Sequence, residues 1–154
     1  MEVKKLNEVF YEENKHLVEV MDKTGTQWTG DKTRGYGIVL VEVNGLKFGI
    51  PLRSNMRPYN GFITAPKESK GLDFSKAVLL SKEEYISESE FIIPRPEFLR
   101  IKDNSAAIAR DFNKYVKKYV RGASKNDSNI LKDYRFTTLQ NYHAELGIKP
   151  PNKE

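Results

Sequence analysis

The sequence predicts an α+β domain, in which a mostly antiparallel, twisted sheet or small barrel carries helices packed on it. Two observations predict this. Short β-branched runs, two of them joined by Asn44-Gly45, occupy much of the chain up to Ile93, and from Asp103 the apolar period becomes helical. Val3 to Leu6 reads as a short strand, and Glu8 to Val20 as a helix with Val9, Phe10, Leu17 and Val20 near one face. Thr24 to Lys32 is a polar loop of turn formers.

Ile38 to Val43 and the alternating Leu46, Phe48 and Ile50 flank Asn44-Gly45. A type I′ turn needs positive φ at both central residues, and Asn-Gly supplies it. A two-residue loop then fixes the register: Val43 faces Leu46, Val41 faces Phe48 and Val39 faces Ile50, all on one buried face. Extended further, the register sets Tyr36 opposite Arg53, Gly35 opposite Ser54 and Arg34 opposite Asn55. Opposed residues have Cβ atoms about 5 Å apart.

Pro58 to Lys70 reads as irregular, with a short strand at Gly61 to Thr64. Ala77 to Leu80 and Glu90 to Ile93 read as strands, the second closed by Pro94 and Pro96. Beyond Asp103, Ile108, Phe112, Tyr115, Val116 and Tyr119 recur at helical spacing until Gly122. A second helix is expected from Ile130 to Leu146, stopped by Gly147, and the tail Lys149 to Glu154 is expected to fray.

The 154 residues are most simply one domain, 1–154. A hydrophobic share of 38% with 31% charged residues is that of a polar globular protein. No apolar stretch approaches the ~20 residues that span a bilayer, and no signal-peptide core opens the chain, so the expected compartment is the cytoplasm and no membrane partner is implied. The absence of cysteine excludes disulfides, a thiol nucleophile and cysteine-ligated zinc. His16 and His143 each lie on an expected helix without a second ligand at metal spacing. No P-loop, GxGxxG, GxSxG or HExxH motif occurs.

The formal net charge of +5 is placed unevenly. Arg110, Lys114, Lys117, Lys118 and Arg121 share the face opposite the apolar stripe of their helix, either a solvated face or a phosphate-binding stripe. At the far end of the hairpin, Lys32, Arg34, Arg53 and Arg57 gather with Tyr36, Ser54, Asn55 and Tyr59, and Asp31 is the sole acid among them. Gly35 and Gly37 are expected to let a ligand approach the backbone there.

Such residues suit phosphodiester chemistry that needs no metal and no cofactor. Cleavage of RNA by its own 2′-hydroxyl needs no protein nucleophile, only alignment, stabilisation of phosphorane charge and help with protons. The same residues also suit a module that binds RNA without cutting it. On the catalytic reading, Arg53→Ala or Ser54→Ala abolishes cleavage and leaves folding intact.

Three stretches carry a resemblance. Arg34-Gly-Tyr-Gly-Ile-Val-Leu-Val, then Asn44-Gly45, then Phe48-Gly-Ile-Pro-Leu-Arg-Ser-Asn55 resemble the toxins of type III toxin–antitoxin systems, the ToxN/AbiQ superfamily and its CptN/TenpN-like branch. The likeness extends to Lys5-Leu6-Asn7 with Phe10-Tyr11, and to Tyr134-Arg-Phe-Thr-Thr-Leu-Gln-Asn-Tyr-His143.

The resemblance implies a compact sheet related to that of the MazF/Kid toxins. It implies an endoribonuclease that cuts cellular messenger RNA without metal, leaving a 2′,3′-cyclic phosphate and a 5′-hydroxyl. The implied partner is an antitoxin RNA, a repeat transcript that the toxin processes into pseudoknots and that inhibits it in a toxin–RNA hetero-oligomer. Ser54 matches the serine of the family's Thr-Ser pair, whereas Arg53 stands where the threonine would be. The family lysine falls at Thr33, so Lys32 and Arg34 both remain candidates for its role. A further family lysine falls at Met56, beside Arg57, and Tyr11 sits where a site tyrosine belongs. The catalytic expectation is therefore Lys32, Arg34, Tyr36, Arg53 and Ser54. Tyr11, Asn55, Arg57, Arg110, Lys114, Lys117, Lys118 and Arg121 are expected to bind RNA.

Overall fold

Asn44 and Gly45 adopt φ of 50° and 81°, the left-handed pair that their turn requires. The computed structural model describes residues 1–21, 23–24, 27–28, 37–56 and 60–149. In chain order, β1 is Val3–Leu6, α1 is Glu8–Glu13, and β2 (Lys23–Thr24) pairs with β3 (Gln27–Trp28), a small ribbon where a loop was expected. Then come β4 (Ile38–Val43), β5 (Leu46–Arg53), β6 (Gly61–Ala65), β7 (Lys70–Asp73), β8 (Val78–Leu79) and β9 (Ile86–Glu90). The helices α2 (Arg95–Asp103), α3 (Ser105–Ser124) and α4 (Ser128–Asp133) follow.

The main sheet is antiparallel, with strands in the order β6-β7-β5-β4-β1-β9 and β8 also paired to β5. It is α+β as expected, but open rather than closed into a barrel. The register read from the turn holds residue for residue: Val43 pairs with Leu46, Val41 with Phe48 and Val39 with Ile50. β5 is shared along its length. Phe48 and Gly49 pair with β8, whereas Leu52 and Arg53 pair with β7. This change of neighbour brings the end of β5 next to β7 and its acidic last residue, Asp73.

α3 lays its apolar stripe on the sheet, burying Ile108, Phe112, Tyr115, Val116 and Tyr119. Phe112 meets Phe48 edge-on at 5.5 Å and Phe74 at 5.4 Å, joining helix, sheet and the turn after β7 in one core. Rings crossed in this way gain roughly 0.5–1.5 kcal/mol beyond their buried area.

Three helical expectations change. The first helix stops at Glu13 instead of Val20, because the Asn14 side chain donates to the Phe10 carbonyl and Glu19 takes a φ of 64°. A second helix, α2, starts beside Pro94 and ends at Asp103, with Asn104 between it and α3. Pro96 sits in its first turn, where a missing N–H costs nothing. The expected helix from Ile130 to Leu146 is broken into α4 and a 3₁₀ turn at Thr138–Tyr142. The buried Thr137 and Thr138 cause this break: the Thr137 hydroxyl accepts from Leu139 N, and the Thr138 hydroxyl donates to the Ala77 carbonyl.

Candidate functional site

Arg53, the last residue of β5, lies opposite Gly71 of β7, two residues before Asp73. Its Nη1 donates to Asp73 Oδ2 at 2.7 Å. Asp73 Oδ1 accepts from both the backbone N and the hydroxyl of Ser75, at 3.0 and 2.6 Å. Both oxygens of the carboxylate are thus engaged, and the carboxylate holds the guanidinium in one place. The Arg53 side chain is 42% exposed and that of Asp73 only 6%, so the cation faces the solvent side of a buried anchor. A planar guanidinium oriented in this way keeps its remaining N–H groups for a ligand.

Arg53 lines a cleft of about 420 Å³ with Asn55, Lys76, Arg135 and Phe136. Lys76 fastens one side of it: its Nζ donates to the Glu19 carbonyl at 2.8 Å and to the Phe136 carbonyl at 3.0 Å, and pairs with the Glu19 carboxylate at 3.5 Å. Ser54 lies at the same end, on a depression shared with Arg53, Asn55 and Lys76. Asn55 follows in the left-handed region with φ of 53°, which Asn tolerates better than most residues.

Tyr115 and Tyr134 also line the cleft. The Tyr115 hydroxyl donates to Thr137 Oγ1 at 2.9 Å, and the Tyr134 hydroxyl donates to the Tyr115 carbonyl at 2.9 Å. Burial pushes the Tyr134 phenol up to about 12, with the Asp133 charge adding to it and Arg121 opposing. Burial raises Tyr115 further still, although the Thr137 bond opposes the shift. At neutral pH both phenols keep their protons, and neither serves as a base.

The cleft continues past Asn60 and Arg135 to Lys114 and Lys118 of α3. Thus two of the five stripe cations meet the groove that begins at Arg53. Lys117 and Arg121 are exposed on the same helix, and Arg110 is paired with the neighbouring Asp111 at 3.2 Å.

No family model, no curated protein and no solved structure matches the chain.

The site expected from the sequence is therefore placed in part. Arg53, Ser54 and Asn55 come together with Lys114 and Lys118 along one groove. Lys32, Arg34, Tyr36 and Arg57 lie outside the described residues, as do Asp31, Gly35, Tyr59 and residues 150–154. Tyr11, expected to bind RNA, is only 4% exposed, with its ring edge-on to Phe10 at 5.6 Å. Gly37 also has a different reason from the one expected. A Cβ there would lie 2.8 Å from Phe91, 2.9 Å from Val3 and 3.0 Å from Leu52, so the glycine makes room for the core rather than for a ligand.

Of the expected cluster of uncompensated cations, Arg53 is matched by Asp73, and Lys32, Arg34 and Arg57 lie outside the described residues. Asp73, Ser75, Lys76, Arg135 and Phe136 were not singled out from the sequence. Asp73-Phe-Ser75 does carry a local signal, an Asp whose side chain caps the backbone two residues on. Among the described residues, no group of three His, Cys, Asp or Glu could hold a metal ion, and no helix is long and apolar enough to cross a membrane.

Proposed function

We propose that this chain is a metal-independent endoribonuclease toxin of a type III toxin–antitoxin system, acting in the cytoplasm on messenger RNA. In this reading it processes a repeat pseudoknot antitoxin RNA and is inhibited by it in a toxin–RNA hetero-oligomer. The observation that carries the reading is the Arg53 guanidinium, fixed by the buried Asp73 beside Ser54 in a groove that leads to Lys114 and Lys118. The sequence resemblance supplies the reaction class.

In that reaction the 2′-oxygen bonds to phosphorus while the bond from phosphorus to the 5′-oxygen breaks. The 2′-hydroxyl gives up a proton and the departing 5′-oxygen gains one, leaving a 2′,3′-cyclic phosphate and a 5′-hydroxyl. In this reading Arg53 stabilises the extra negative charge on the non-bridging oxygens, and Ser54 donates a hydrogen bond to them. Preorganised donors of this kind act without reorienting during the reaction. Lys32, Arg34 and Tyr36 complete the catalytic set, in which a Lys or Arg can assist proton transfer.

The test is incubation of the purified protein with a defined RNA in EDTA, followed by analysis of the product ends. Cyclic-phosphate products, reduced about 10²-fold or more by Ser54→Ala and by Arg53→Lys, support the reading. Arg53→Lys keeps a positive charge for Asp73 and loses only the fork of donors. Cleavage unchanged in both variants rejects the assignment. The same groove residues, Arg53, Lys114 and Lys118, also suit a second reading: a module that binds RNA without cutting it. Tight binding with no cleavage of several RNAs identifies that outcome.

A further inference from the structure

Phe136 is 57% exposed although its neighbours on the C-terminal side, Thr137 and Thr138, are fully buried and Tyr134 before it is 9% exposed. The exposure is imposed by the backbone. The Phe136 carbonyl accepts from Lys76 Nζ at 3.0 Å, the Thr137 carbonyl from Gln140 Nε2 at 2.8 Å, and Thr137 N donates to the Tyr134 carbonyl at 3.0 Å. These bonds fix the turn that carries the ring. It stands in the wall of the same cleft as Arg53 and Asn55, and the Arg135 guanidinium lies 4.8 Å from its centre. Arg135 is itself tied to the Lys132 carbonyl through Nη1 at 3.0 Å.

An exposed phenyl ring beside the Arg135 guanidinium, on a hydrogen-bonded turn in the wall of a polar cleft where Arg53 and Lys76 are held by Asp73 and Glu19 and Asp133 also lines the wall, has the chemistry of a nucleobase platform. Every base has a π-face, and single-stranded RNA pairs backbone contacts to cations with stacking on aromatic rings. We propose that Phe136 stacks on an unpaired base of the RNA whose backbone the groove holds, next to the phosphate at Arg53. This rests on the nucleic-acid reading of the groove and assigns it a base-binding subsite. Arg135 covers part of the ring and presents its own planar cation to the same nucleotide.

The test uses a single-stranded 2′-O-methyl oligoadenylate, which binds but cannot be cleaved, and an inorganic polyphosphate of similar charge. Phe136→Leu should weaken the oligonucleotide about tenfold or more and leave polyphosphate binding unchanged, and Phe136→Trp should restore it. An equal loss for both ligands, no loss for the oligonucleotide, or no binding of the oligonucleotide by the parent protein overturns the proposal. Cleavage of unmodified RNA by the parent protein is scored separately. A nuclease without a Phe136 effect rejects the platform alone, and a Phe136 effect without cleavage rejects the nuclease alone.

Discussion

Arg53 and Asp73 form an ion pair of unequal partners, 2.7 Å apart, with the arginine side chain 42% and the aspartate side chain 6% exposed. Removing the arginine therefore strands a buried carboxylate, so Arg53→Ala disturbs folding as well as any activity, contrary to the expectation from sequence. Asp73→Ala leaves the Ser75 amide and Arg53 without their acceptor. Each substitution should lower unfolding free energy by about 1–3 kcal/mol in urea titrations, and Arg53→Lys by less. Equal stability of parent and Asp73→Ala would show that the pair does not anchor the groove.

The groove separates the α3 cations into two sets. Lys114 and Lys118 line it together with Asp111, whereas Arg110 does not line it and pairs with Asp111. Replacing both lysines by alanine should flatten the dependence of log affinity on log salt for single-stranded RNA by roughly 1.4, about 0.7 for each phosphate no longer neutralised. Arg110→Ala should leave that slope within error. Equal slopes for all variants would make the stripe an ordinary solvated face.

Glu13 ties α1 to the segment before β9, accepting from Lys82 Nζ at 2.7 Å and from the Tyr85 hydroxyl at 2.8 Å. The Lys82 bond, then the Tyr85 bond, holds its pKa below the ordinary 4.5. A depressed folded-state pKa gives stability that is present above the unfolded value and lost as pH falls through the folded one. Lys82 is raised in turn by Glu13, so its share is present below 10.5 and lost as pH rises through the folded value. The melting-temperature advantage of the parent over Glu13→Gln should thus be level at neutral pH and shrink below about 4.5. An advantage that persists unchanged to about pH 2 would count against the pair.

Gly37 is enclosed by Phe91, Val3 and Leu52. Gly37→Ala should cost about 1–3 kcal/mol through overpacking, measured by thermal or urea unfolding. A neutral or stabilising effect would mean that the three side chains yield more readily than their distances suggest.

The hairpin was legible because two residues, Asn44 and Gly45, determine both the turn and every cross-strand pair up to Ile38–Pro51. The Arg53–Asp73 pair was not, since no local pattern says that β7 lies beside the end of β5. The end of α1 was hidden for a related reason. Asn141 accepts from Val18 N at 2.9 Å and donates to the Val18 carbonyl at 2.8 Å. A side chain 123 residues away thus takes the backbone groups that a longer helix would have used. For α2, Pro94 and Pro96 read as the close of a strand, while Pro96 is equally at home in a first helical turn.

The wall formed by residues 133–137 comes later in the chain than every strand of the sheet it faces. Synthesis runs in one direction, and early segments can fold before later ones emerge. A growing chain can therefore assemble β5 and β7, with Arg53 already on Asp73, while the opposite side of the groove does not yet exist. Only after Thr137 has left the ribosome does the cleft have both sides, so translation itself delays the moment at which this surface can hold anything.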